Sequence, residues 1–240
     1  ILGKIMNKTI LITGASSGIG ANVAKLFLDR GWNVGLVARR EHKLAIIANN
    51  HENALCIKCD VAQEKQIKDA FQLTADHFGK IDVLFNNAGI FIPQARIDQI
   101  DIKDWQKSLD VNLTGMFLSA REAFKHMREK GGRIINNGSI SAHTPREGSV
   151  PYTTTKHAIT GLTKTIALDG RDLNICCGQI DIGNAHTEMV ANLSNAGGVV
   201  ETMAVSDAAE AVWNMAQLPL STNILTMTIM ANKMPFVGRG

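Results

Sequence analysis

The chain has 240 residues, 45% apolar and 20% charged, a balance that fits one α/β domain with a continuous core and leaves no segment polar enough to read as disordered. The formal net charge of +3 is spread along the sequence with only short basic pairs such as Arg39-Arg40, so composition gives no footprint for nucleic acid. No apolar run approaches the roughly 20 residues that span a bilayer, and the first dozen positions lack the basic-then-apolar layout of a secretion signal, which predicts a cytoplasmic protein without a membrane partner.

Met6, directly before Asn7-Lys8-Thr9, reads as the natural start, which makes residues 1–5 an upstream extension and 6–240 a single domain. Residues 9–13 form a β-rich run; a glycine turn follows, then Ile19, Val23 and Phe27 at helical spacing. A second strand is predicted over 34–38, a helix over 41–49 and a third strand over 54–59, with Ile67, Phe71, Thr74 and Phe78 marking the next helix face. The fourth strand is placed at 81–85. One long helix is predicted from the stripe Trp105, Leu109, Leu113, Met116, Ala120, Phe124 and Met127, stopped by Gly131-Gly132. A fifth strand covers 133–137. The next helix opens near Ser149 with Pro151 in its first turn, where a missing N–H is harmless, and runs to about Leu168. A sixth strand is expected over 173–181, a helix capped by Ser206 through Gln217, and a last strand over 224–230. Strands alternating with crossover helices predict an α/β fold, a doubly wound parallel sheet of about seven strands with helices on both faces. Such sheets bind ligands beyond the carboxyl ends of their strands.

Cys56 and Cys59 have C-x-x-C spacing, but residues three apart in a strand point to opposite faces, so a shared metal is excluded and no metal site is predicted. With Cys176 and Cys177 they read as reduced core thiols.

Thr13-Gly14-Ala15-Ser16-Ser17-Gly18-Ile19-Gly20 lies between the first strand and the first helix, where backbone can approach a pyrophosphate at the positive helix end. Its spacing is G-x-x-x-G-x-G, and glycines alone also suit a tight turn. With Asn86-Asn87-Ala88-Gly89 after the fourth strand and Asp60-Val61 after the third, the chain resembles the short-chain dehydrogenase/reductase family from Thr9 to about Met189, roughly three quarters of its length. The resemblance implies a Rossmann-type NAD(P)-binding domain. In it Gly14, Ser16, Ser17, Gly18, Ile19 and Gly20 surround the phosphates, Asp60 and Val61 contact the adenine, and Asn87, Ala88 and Gly89 lie against the cofactor.

The end of the second strand discriminates between cofactors, since a carboxylate there accepts from the ribose 2′-hydroxyl and repels a 2′-phosphate. This chain has Ala38 and then Arg39-Arg40, which favours NADP over NAD, with Arg39 as first candidate for the phosphate and Ser16 as a second contact. The alternative is an ordinary exposed basic pair.

Tyr152 is the only tyrosine, and Lys156 follows one helical turn later on the same face. Ser139 precedes Tyr152 by thirteen residues and Asn112 stands in Asp110-Val111-Asn112; both match the family's catalytic positions. Taken singly, Ser139 suits a turn and Asn112 a helix surface. Reduction of a ketone builds negative charge on oxygen, so a donor must deliver a proton as hydride arrives. A phenol ordinarily ionises near pH ~10, and a neighbouring ammonium stabilises its anion. By resemblance, Tyr152 is the acid/base, Lys156 supports it and holds the nicotinamide ribose, Ser139 orients the substrate oxygen, and Asn112 positions a relaying water. The expected function is NADP-dependent hydride transfer between nicotinamide and a secondary alcohol or ketone, a small-molecule substrate. A non-catalytic NADP-binding sensor on the same fold is the alternative.

The sequence departs from the family after strand six, where Ile182 replaces the expected proline; Gly183 and Thr187 remain, and the resemblance assigns Thr187 to the carboxamide. Residues 185–205 occupy the position of a variable substrate lid. His143, Glu147 and His186 are placed to reach a substrate, though single polar loop residues are more often merely solvated. The run Met234-Pro235-Phe236-Val237-Gly238-Arg239-Gly240 is too apolar for a free tail and is expected at the subunit interface of a homodimer or homotetramer.

Overall fold

The computed structural model describes residues 7–187 and 201–237; the expectations for residues 1–6, for 188–200 of the lid segment and for 238–240 lie outside the described residues. Seven strands, β1 (Thr9–Thr13), β2 (Asn33–Ala38), β3 (Ala54–Lys58), β4 (Val83–Asn86), β5 (Gly132–Asn137), β6 (Ile175–Ile182) and β7 (Thr226–Ile229), form one parallel sheet in the order β3-β2-β1-β4-β5-β6-β7. Helices α1 (Gly18–Asp29), α2 (Glu41–Ala48), α3 (Glu64–Phe78), α4 (Ile102–Leu109), α5 (Gly115–Met127), α6 (Val150–Asp169) and α7 (Val205–Gln217) connect and cover it.

The period-2 alternation of a strand sends neighbouring residues into two cores. Ile10 and Ile12 face the core shared with α1, α2 and α7, while Leu11 faces the core shared with α3 and α5. Burial on both faces is why the strands read as nearly unbroken apolar runs. Cys56 packs on the first core and Cys59 belongs to the second, as the strand argument requires. Burial pushes the Cys59 thiol up to about 12, so it stays protonated and inert at neutral pH. At the seam of α1 and α7, Phe27 meets Trp32 and Trp213 edge-on at 5.0 Å, and the Arg30 guanidinium lies 4.4 Å over Trp213.

Three sequence expectations need correction. The long helix is interrupted: α4 and α5 are joined by a π turn, Asp110–Thr114, in which the Gly115 N–H donates to the Asp110 carbonyl. The apolar stripe survives one inserted residue, so periodicity could not reveal the turn; its visible tertiary partner is Ile90, whose backbone bonds both side-chain amide atoms of Asn112. Ser206 does not cap α7. Met203 bridges to Ala185, the chain enters the helix from extended Ala204, and Ser206 falls inside the first turn beside Asp207. The sixth strand begins at Ile175, because Arg171–Leu173 form a 3-10 turn ended by left-handed Asn174. The C-terminal run, as far as Val237, packs on this chain's own core through buried Met234 and half-buried Phe236, leaving Val237 exposed.

Arg133 on β5 is only 1% exposed and no carboxylate pairs with it among the described residues. Its guanidinium instead donates to the carbonyls of Leu218, Pro219 and Thr222 at 2.8–3.3 Å and to Asn223 Oδ1 at 3.2 Å. It thereby satisfies the acceptors of the loop leaving α7, and burial holds its ionisation below the usual guanidinium range. Arg133→Ala strands these acceptors and is expected to remove about 3 kcal/mol of stability, read as a lower urea midpoint at an unchanged slope. An unchanged midpoint would contradict this role.

Candidate active site

The loops that leave the carboxyl ends of β1 through β6 line a single cavity of about 270 Å³. Chain order reverses between β1 and β4, which run side by side, so the crevice lies where a doubly wound sheet opens.

At its centre is the glycine turn. Gly14 has φ +69°, and a Cβ there would stand 2.9 Å from the Ala88 Cα, so a side chain is excluded both by conformation and by the β4 loop. Thr13 Oγ1 accepts from the N–H groups of Asn87 and Ala88 at 2.9 and 3.0 Å, and Asn87 Nδ2 donates to the Thr13 carbonyl at 3.0 Å. These bonds fasten the two loops together. Ser17 is the N-cap of α1 but makes no side-chain cap bond, which leaves the helix end open toward the cavity wall formed by Ser16, Ser17, Gly18 and Ile19. A bare backbone cradle at an open helix N-terminus suits a pyrophosphate, and the residues present therefore fit a dinucleotide. Gly20 lies behind this wall in the first turn of α1. Asp60 and Val61 form the wall after β3, shaped by the Ala62 N–H donating to Asp60 Oδ1 at 3.0 Å.

At the end of β2 both arginines line the cavity, but Arg40 is the one brought to the glycine turn. Its Nη2 donates to Ser16 Oγ at 3.0 Å and to Ser17 Oγ at 2.9 Å, and its Nε to Ser16 Oγ at 3.3 Å. The sequence placed Arg39 first; the contact with Ser16 belongs to its neighbour.

Ser139, Tyr152 and Lys156 line the cavity together. Lys156 is 5% exposed; its Nζ donates to the Asn137 carbonyl at 2.7 Å and lies 5.4 Å from the centre of the Tyr152 ring. Phe91 packs against the same ring at 5.1 Å. Asn112 is buried, with Oδ1 accepting from the Ile90 N–H at 2.7 Å and Nδ2 donating to the Ile90 carbonyl at 2.9 Å. Its amide therefore holds the wall formed by Ile90 and Phe91.

The sequence missed the anchor of Ser139. Asp181, at the carboxyl end of β6, is fully buried. Its Oδ1 accepts from the Ser139 N–H at 2.9 Å and from Gln179 Nε2 at 2.7 Å, and its Oδ2 lies 2.8 Å from His143 Nε2. A Cβ at Gly138 would fall 2.1 Å from Asp181 Oδ1, so the glycine is what lets the carboxylate reach Ser139. The only sequence signal was an acidic residue at the end of an apolar strand. His143 thus serves Asp181, whereas Glu147 and His186 are exposed and are not among the cavity walls. Gly183 and Thr187 do line it, with the Thr187 side chain beside Gly18.

The short chain dehydrogenase family pattern matches residues 8–198. The chain is 35% identical over 184 residues to 3β-hydroxysteroid dehydrogenase of Mediterraneibacter gnavus, covering 75% of this chain and 67% of that one. It is 30% identical over 244 residues to serine 3-dehydrogenase of Rhizobium radiobacter, with 97% of each covered. The closed form of a serine dehydrogenase complexed with NADP+ superposes with a TM-score of 0.89 at 25% identity, over 97% of this chain and 98% of the other. The chain belongs to the short-chain dehydrogenase family and is an NAD(P)-dependent oxidoreductase.

Proposed function

We propose that the chain interconverts a small secondary alcohol and its ketone with NADP, and that Tyr152 is the acid/base. The observation that carries this reading is the buried Lys156, fixed by the Asn137 carbonyl at 2.7 Å with its ammonium beside the Tyr152 ring. Proton transfer at a phenol calls for a fixed cation close to the ring, which is what Lys156 supplies. The relatives named for 3β-hydroxysteroid and serine oxidation support an alcohol or carbonyl substrate.

The nicotinamide, when bound, supplies or accepts the hydride. Tyr152 gives its phenolic proton to the carbonyl oxygen in reduction and takes the hydroxyl proton in oxidation. Ser139, its backbone held by Asp181, presents its hydroxyl to the same oxygen and supports the charge that develops there. Asn112 keeps the Ile90–Phe91 wall in place against Tyr152. Gly14, Ser16, Ser17, Gly18 and Ile19 would hold the pyrophosphate, with Gly20 packed behind them against the Gly14 carbonyl; Asp60 and Val61 the adenine; Asn87, Ala88 and Gly89 the middle of the cofactor; Gly183 and Thr187 the carboxamide.

The preference for NADP rests on Ala38, where a carboxylate would end β2, and on Arg40 and Ser16, with Arg39 as a second cation lining the cavity. A charge-assisted bond is worth about 1.5–3 kcal/mol. Arg40→Ala is therefore expected to raise the Michaelis constant for NADPH roughly 10- to 100-fold with little change for NADH, and Arg39→Ala to act in the same direction. Steady-state kinetics with both cofactors is the test. Equal losses for the two cofactors would refute the assignment.

A further inference from the structure

The cavity walls carry four cationic side chains, Arg39, Arg40, Arg146 and Lys156, against one acid, Asp60. Lys156 serves Tyr152, Arg40 bonds to the glycine turn, and Arg39 is its neighbour after β2. Arg146 is left over. It leaves the carboxyl end of β5, and β2 and β5 are separated by two strands, which places the two ends about 14 Å apart.

Arg146 is also held in place. Ser149, the residue before α6, donates from its N–H and its hydroxyl to the Arg146 carbonyl, at 3.3 and 2.8 Å. The Gly148 carbonyl accepts from the Ala95 N–H at 3.0 Å, which ties the loop to the chain after β4. The backbone that presents Arg146 is thus fixed four residues before α6 begins and six before Tyr152. The guanidinium has one partner, Asn184 Oδ1 at 2.8 Å, and no carboxylate within ion-pair distance among the described residues. A guanidinium has five N–H donors in a planar fork that matches a carboxylate.

We infer that Arg146 is the anchor for a carboxylate on the substrate, so that the enzyme acts on a hydroxy acid and its keto acid. The inference rests on the oxidoreductase reading given above but concerns recognition and adds no chemical step. A partly buried cation discriminates a carboxylate from its neutral ester because only the anion satisfies the charge as well as the hydrogen bonds.

The test pairs turnover with binding. Short 2-, 3- and 4-hydroxy acids and their methyl esters are offered to the enzyme with NADP+, and malonate and succinate are titrated into the NADPH-loaded enzyme while cofactor fluorescence is followed. The wild type is expected to favour an acid over its ester at least tenfold in kcat/KM. Arg146→Gln should erase that preference by raising KM for the acid about 30-fold with kcat nearly unchanged, leaving the ester's constants and NADPH affinity as they were. Binding of the dicarboxylates should weaken in parallel. Esters turned over as well as acids, or a preference that survives Arg146→Gln, would overturn the inference and leave the oxidoreductase reading standing. Dicarboxylate binding that depends on Arg146, with no hydride transfer to any substrate, would support the anchor and sink the catalytic reading instead.

Discussion

Tyr152→Phe is expected to lower kcat about a thousandfold while the dissociation constant for NADPH changes less than threefold. The magnitude follows from general acid/base catalysis, which contributes about 10²–10⁴-fold when the group is aligned. Removing one hydroxyl leaves the ring packed against Phe91 and leaves Lys156 on the Asn137 carbonyl, so the site should keep its shape. The glycine turn and the arginines after β2 lie on other loops, which is why cofactor affinity should survive. Fluorescence titration of NADPH, run beside steady-state kinetics on the same preparation, separates the two effects. A variant that retains turnover would remove Tyr152 from the mechanism.

Asp181→Ala should be the most damaging change outside the catalytic set. The carboxylate is fully buried and accepts bonds from Ser139 and Gln179 while facing His143, so alanine leaves the buried Ser139 N–H without its acceptor and the Gln179 amide with Thr160 alone. A loss of about 3 kcal/mol in unfolding free energy is expected. Activity should fall further than stability alone explains, because the Ser139 backbone is freed from the strand end that positions its hydroxyl. Asp181→Asn keeps one acceptor oxygen and should recover most of the stability. Urea unfolding and kcat measured below the unfolding transition test both halves; full activity in a folded Asp181→Ala protein would contradict the positioning role.

Much of this architecture is legible in the sequence because the causes are local. Alternation of short apolar strands with amphipathic helices dictates the parallel sheet, and Gly14, Tyr152 and Lys156 follow from a turn and a helical spacing. Other features depend on residues far apart in the chain. Asp181 reads as a strand end because Ser139 and His143 lie 42 and 38 positions away. The π turn at Asn112 could not be read because its bonds go to Ile90, 22 residues earlier. Arg39 and Arg40 are chemically identical neighbours, and only the path of the backbone into α2 decides which one meets Ser16. Arg133 opens the strand expected over 133–137, and its acceptors come from the loop after α7, 85 to 90 positions on.

We propose that hydride transfer takes place in this cavity and that Tyr152 moves the proton. It is tested most directly by incubating the enzyme with NADPH deuterated at the nicotinamide C4, on each face in turn, and a panel of ketones and keto acids. Mass spectrometry of the products should find deuterium on the carbinol carbon from one of the two labelled forms, and about a thousandfold less in the same time with Tyr152→Phe. Tight NADPH binding by the wild type with no label in any product would contradict the account and favour a cofactor-sensing role.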